Sequence, residues 1–370
     1  MVKPTLNGGG LLILLILTIP MGAYPAIGQV DYQPGDYSKQ IVYEPVNRDA
    51  IPAAKKLLAY LYSIRGRKTI LGIQISIDAE DKYIYSDYIK ALTRKSPELL
   101  GYEFIGNYKP GNVSRFIQEV YGKYIEGYII TLMWQEGRPF GNSSVTSTQV
   151  LPYRDSSLET HQEEVGRQEE LSDEQWAELT TPGTKSYERW LSDIDSIATY
   201  LKALQDLGVP VLWLPYHEIN GTQPWWENGK GGSARLYEMM YDRYVDYLHL
   251  NNLIWVWGST ASLNLPDNQS YRFEDYFPGL DYVDVVGADD YHNVYGKNRY
   301  ARLLELARGK VVALTEVGEV PAPEILDEQS NWTYFMVLGN LVHTRNSPEQ
   351  IKDLLDDPRI ISHQDFPGER

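Results

Sequence analysis

The stretch Val211–Trp226, VLWLPYHEINGTQPWW, decides how the chain is read. Val211–Leu214 is apolar, and Gly208 and Pro210 precede it, which marks a short buried strand. The character then changes abruptly. Tyr216, His217, Glu218 and Asn220 follow directly, and Trp225 and Trp226 lie beyond a loop that contains Gly221. A carboxylate at the C-terminal tip of a buried strand, beside an imidazole, an amide and two indoles, suits the hydrolysis of a sugar bond. Partial desolvation keeps the acid protonated. The Asn220 amide is expected to hold a sugar hydroxyl, and the indoles offer flat apolar faces to pyranose rings. A zinc-protease helix is excluded, because HExxH requires a second histidine where Gly221 stands.

Outward from that stretch the pattern recurs. Val311–Thr315 is an apolar run that delivers Glu316, with Gly318 just beyond. Gly127–Met133 carries Trp134 at its tip, and Val283–Ala288 is followed by Asp289, Asp290 and Tyr291. Further apolar runs predict strands at Thr69–Ile75, Leu99–Ile105, Leu253–Trp257 and Phe335–Leu338. Helical periodicity covers Ala50–Ile64, Tyr83–Leu92, Ser114–Lys123, Tyr187–Leu207, Ala234–Leu250, Arg302–Ala307 and Ile351–Leu355. Buried strands alternating with helices imply parallel pairing. Eight such units, with no internal repeat and no linker, predict fold class α/β, as a single (β/α)8 TIM barrel. A doubly wound sheet is the alternative, but no Gly-rich dinucleotide turn follows the first strand. The polar, acidic segment Gly141–Gly183 is read as a solvated excursion.

In a closed barrel, strands 4 and 7 point Glu218 and Glu316 into one mouth. A retaining glycosidase needs two carboxyl groups about 5–5.5 Å apart. Glu218 is the candidate acid/base and Glu316 the candidate nucleophile, with Glu218 protonated while Glu316 is ionised.

Composition narrows the classes. A chain of 370 residues that is 43% hydrophobic can bury one large core. The net charge of -16 argues against a nucleic-acid partner. Its 29 Tyr and 9 Trp suit a carbohydrate cleft. The absence of Cys excludes disulfides, thiolate zinc sites and Cys nucleophiles, and the six His show no ligand spacing. No metal and no other cofactor is expected. At the N-terminus, Lys3, the apolar run Leu11–Met21 and the small residues Ala26 and Gly28 predict a signal peptide, residues 1–28, cleaved near Gly28. The expected mature protein, residues 29–370, is a secreted monomer with a polysaccharide substrate and no stable membrane partner; an uncleaved N-terminal anchor is the alternative.

HEIN-G followed by WW resembles the general-acid strand of glycoside hydrolase family 26, the β-mannanase family. LTTPGT, NNLIWVW, VDVVGADDY and LTEVG are similar to the family's pattern at the matching strands. The resemblance spans roughly residues 68–366. It implies a retaining endo-β-glycanase acting on β-1,4-mannan, with Glu218 as acid/base and Glu316 as nucleophile. His217 would support the acid, and Tyr291 would hydrogen-bond the nucleophile. Asp289, Asn220, Trp134, Trp225 and Trp226 would line the substrate cleft. Mixed-linkage β-glucan, β-1,3-xylan or a non-catalytic sugar-binding barrel are the alternatives. The chain departs from the family at Leu214 and Gln135, where Arg and His are usual, and at Leu338–Gly339, where Trp and Arg are usual.

Overall fold

A computed structural model describes residues 44–75, 81–105, 113–135, 140, 171–220, 226, 231–260 and 273–363. The chain divides into Met1–Ile41 and Val42–Arg370, and every described residue belongs to the second unit. The expected signal peptide therefore lies outside the described residues.

Eight parallel strands close on themselves. They are β1 Thr69–Ile75, β2 Leu99–Ile105, β3 Ile129–Gln135, β4 Val211–Pro215, β5 Leu253–Thr260, β6 Val285–Asp290, β7 Val311–Val317 and β8 Trp332–Val337. Each pairs with its neighbour in sequence, and β1 pairs with both β2 and β8 to complete the barrel. A two-residue strand, β9 Ile360–Ile361, adds to the N-terminal end of β1. The α-helices among the described residues are α1 Pro52–Ile64, α2 Ile84–Thr93, α3 Val113–Ile125, α4 Asp173–Leu179, α5 Lys185–Asp206, α6 Gly231–Asp242, α7 Lys297–Ala307, α8 Pro323–Glu328, α9 Leu341–Thr344 and α10 Pro348–Asp356.

Strand alternation sorts the core into two clusters. Ile70, Leu99, Ile129, Met133, Leu212, Leu214, Ile254, Val256, Val285, Val311, Ala313, Tyr334 and Met336 form one with Leu57, Leu58 and Leu61 of α1. Helix α1 thus plugs the barrel floor. The other strand faces pack against the surrounding helices. Small residues shape the interior. A Cβ at Gly72 or Gly101 would lie 3.1 Å from the terminal methyl of Met336, so both glycines make room for that side chain.

Part of the segment expected to be a solvated excursion is structured. Ser172 caps α4 in a reciprocal box with Gln175, and Leu179 is buried. The Trp176 ring lies against Gly232 at the start of α6, where a Cβ would come within 2.8 Å. Residues 141–170 lie outside the described residues.

Candidate active site

The tip of β4 is built under strain. Tyr216 and Glu218 both adopt left-handed backbone, at φ 51° and 52°. Such conformations cost a side-chain-bearing residue on the order of 1–3 kcal/mol. Four contacts hold them. Trp190 on α5 donates to the Tyr216 hydroxyl at 2.8 Å. The Ile219 N–H donates to the Gly258 carbonyl at 3.2 Å. Trp226 Nε1 donates to the His217 carbonyl at 3.1 Å. Asn220 closes a two-way clamp on β5: its Nδ2 donates to the Thr260 carbonyl at 3.1 Å, and its Oδ1 accepts from the Thr260 N–H at 2.8 Å. Glu218, part-exposed between these fixed points, sits where the strand expectation placed it.

Glu316 arrives through a different device. The ladder between β6 and β7 runs in register to Ala288–Leu314 and then resumes at Asp289–Glu316. Thr315 is the extra residue of a bulge, a feature that re-aims side chains beside functional sites. Its hydroxyl donates to Asp289 Oδ1 at 2.7 Å. A Cβ at Gly287 would fall 2.5 Å from the Thr315 methyl, so only glycine admits that side chain. Asp289 and Glu316 are both buried.

Burial and mutual charge dominate the electrostatics. Desolvation raises Glu218, opposed by a hydrogen bond from Thr260. Desolvation pushes Glu316 well above the usual carboxylate range, and the charges of Asp289, Glu218 and Glu103 add to it. Asp289 is likewise pushed far up by burial and by Glu218, against the Thr315 hydroxyl, the Arg299 charge and the Glu316 N–H. Carboxylates this close cannot all ionise, so they titrate as one cluster. In such a cluster one carboxylate can ionise while a neighbour holds the shared proton. Burial raises both Glu218 and Glu316, so burial alone does not confine that proton to Glu218. His217 is buried, and desolvation brings it down to about 4, so the imidazole is neutral.

Several expected cleft residues do other work. Both ends of the Asn220 amide serve the β5 clamp, so it is a splint between β4 and β5. Trp226 is 2% exposed and tilts against Tyr216 at 5.7 Å, beneath the β4 tip rather than in an open cleft. Trp134 is also buried, packed against Tyr216 in the layer between strands and helices. Strand alternation explains this: Met133 faces the barrel interior, and Trp134 faces away. Trp225 lies outside the described residues. Tyr291 is part-exposed at the end of β6, its ring against Gly318, where a Cβ would lie within 2.8 Å. Asp290, next in sequence to Asp289, points the other way and pairs with Arg299.

The mouth holds residues the sequence reading passed over. Gln74 of β1 donates to Glu103 of β2 at 3.0 Å, and Glu103 acts on Glu316 through its charge. The signal was present: a charge in LLGYEFI and an amide in TILGIQI interrupt runs that are otherwise apolar or aromatic. Thr315 carried no such signal, because a bulge cannot be read from hydrophobicity.

The model of glycosyl hydrolase family 26 matches residues 46–365. A curated mannan endo-1,4-beta-mannosidase from Thermothelomyces thermophilus is 30% identical over 336 residues, covering 87% of this chain and 63% of that protein. Against the Piromyces mannan endo-1,4-beta-mannosidase A, the match spans 52% of the relative. The chain therefore covers between about half and 63% of these curated relatives. The solved structure of GH26A from Muricauda sp. MAR_2010_75 superposes with a TM-score of 0.73 at 36% identity, over 85% of this chain and 98% of that one. A β-mannanase from a symbiotic protist of the termite Reticulitermes speratus, solved with gluco-manno-oligosaccharide, gives 0.70 at 25% identity over 86% and 96%. With a closed parallel barrel and the glutamates of β4 and β7 at its mouth, the chain belongs to glycosyl hydrolase family 26.

Proposed function

We propose that the protein is a secreted, retaining endo-β-1,4-mannanase. The observation that carries the mechanism is the electrostatic linkage of Glu218 and Glu316, delivered to one mouth by β4 and β7. The names of the curated relatives support mannan as the substrate. The apolar run near the N-terminus supports export with removal of residues 1–28.

In this reading the Glu316 carboxylate attacks the anomeric carbon. Glu218 gives its proton to the glycosidic oxygen, and the leaving chain departs with that proton. A water then loses a proton to Glu218 and adds to the same carbon, and the Glu316 ester bond breaks. Asp289 lends charge and proton capacity, and Tyr291 stands at the rim beside them. Two inversions leave the β-configuration intact.

The test is kinetic. Glu316→Ala should abolish hydrolysis of mannan and of an aryl β-mannoside alike. Glu218→Ala should lose mannan hydrolysis by a factor of roughly 10² or more. It should spare release of a good aryl leaving group, which needs no proton. Equal loss on both substrates would remove Glu218 from the acid role. Preferential turnover of lichenan or β-1,3-xylan by the parent chain would reassign the substrate.

A further inference from the structure

We infer that Tyr85 and His343 form an aromatic platform for sugar residues on the glycone side of the scissile bond, a subsite that rests on the functional reading above. Three observations place it. First, the rings are clustered and part-exposed. Tyr85 stacks on His343 with centroids 5.3 Å apart and planes 22° apart, and Tyr88 meets the same imidazole edge-on at 6.2 Å. His343 is exposed, and both tyrosines are part-exposed.

Second, the cluster sits at the barrel mouth. At Gly339, two residues after β8 ends, a Cβ would fall 2.8 Å from the Gln74 carbonyl and 2.9 Å from Cδ2 of Tyr85. Tyr85 therefore lies over the backbone where β8 leaves the barrel. Gln74 carries the position inward, since its amide bonds Glu103, and Glu103 acts on Glu316. Tyr85 belongs to the helix after β1 and His343 to the helix after β8, so the platform bridges adjacent C-terminal connections.

Third, strand order fixes the direction. The barrel runs β4-β5-β6-β7-β8-β1. Glu218 leaves β4, and Glu316 leaves β7, next to β8. The leaving chain must lie toward the acid, and the sugar bonded to the nucleophile lies toward β7. Continuing away from Glu218, the glycone chain reaches the β8–β1 rim. Pyranose rings present flat C–H faces that pack on aromatic faces.

Two measurements test this. Calorimetry with mannohexaose on the Glu316→Ala chain reads binding without turnover. Adding Tyr85→Ala or His343→Ala should weaken binding about tenfold, or about 1.4 kcal/mol. Cleavage of mannohexaose in ¹⁸O-water, read by mass spectrometry, shows which bond is cut. Either substitution in the active chain should shift the cut toward the non-reducing end, because fewer glycone sugars are held. Hydrolysis of an aryl β-mannoside, which reaches only the cleavage site, should fall far less than hydrolysis of mannohexaose. His343 is exposed, so His343→Ala is the substitution that disturbs folding less. No mannohexaose binding by the Glu316→Ala chain would overturn the proposed substrate. Binding that neither ring substitution weakens, or a shift toward the reducing end, would overturn the platform alone.

Discussion

At the scale of single residues, the site is a set of carboxylates held at a cost. Asp289 illustrates it. Its folded pKa is raised, so the folded state binds the proton more tightly than the unfolded chain does. Stability from this group is therefore greatest in acid and is lost as pH rises through the folded pKa. Asp289→Asn keeps an acceptor for Thr315 and removes that penalty. Its melting temperature should exceed the parent's by about 2–4 °C near neutral pH. The gain should shrink in acid, and activity should fall; thermal melts followed by circular dichroism at both pH values check it. Glu103 gives a second prediction. Its charge helps hold Glu316 protonated, so Glu103→Gln should move the acid limb of the kcat/KM profile to lower pH. An unmoved limb would detach Glu103 from the nucleophile. Glu218 and Glu316 were legible in the sequence, because each ends a run of apolar residues. Trp226 and Trp134 were expected to line the cleft and are buried, because an aromatic residue near a strand tip can face the cleft or the helix layer, and composition does not say which. Trp226 keeps a role nonetheless, as the donor that fixes the His217 carbonyl beside Glu218.

At the scale of elements, β4 and β5 are spliced at their C-terminal ends. Removing the Asn220 amide strands the buried N–H and carbonyl of Thr260, and each orphaned group costs about 1–3 kcal/mol. Asn220→Ala should lose stability on that scale in urea denaturation and lower kcat as the Glu218 tip relaxes. An unchanged denaturation midpoint would contradict the clamp. Existence of the strands was readable throughout, because parallel strands covered on both faces are continuous apolar runs. Their C-terminal ends were readable at β1 and β2 but not at every strand. The third, fifth and sixth strands were expected to stop at Met133, Trp257 and Ala288; they run on to Gln135, Thr260 and Asp290. A hydrophobicity reading ends where the polar mouth begins, so it loses the strand at the point where the chemistry starts. The short helices α4, α8 and α9 escaped for another reason: four to seven residues are too few to show a period. The Ser172–Gln175 box was the one local mark of α4.

At the scale of the molecule, the two ends of the barrel divide the labour. The floor is closed by α1, whose Leu57, Leu58 and Leu61 join the interior strand residues. Leu61→Ala should cost about 2–5 kcal/mol of stability and leave kcat/KM of the folded enzyme unchanged. A large loss of kcat/KM without loss of stability would mean that floor and mouth are coupled. The opposite end holds the desolvated carboxylates, the strained β4 tip and the aromatic rim, and chemistry at the C-terminal face is the general arrangement of this architecture. The central claim is that Glu218 and Glu316 act in two successive displacements at that face. Proton NMR of the first product released from a β-manno-oligosaccharide, recorded before mutarotation, tests it most directly. Two displacements release the β-anomer at the earliest time point, decaying toward the equilibrium mixture; an initial α-anomer would mean a single displacement by water and would rule them out.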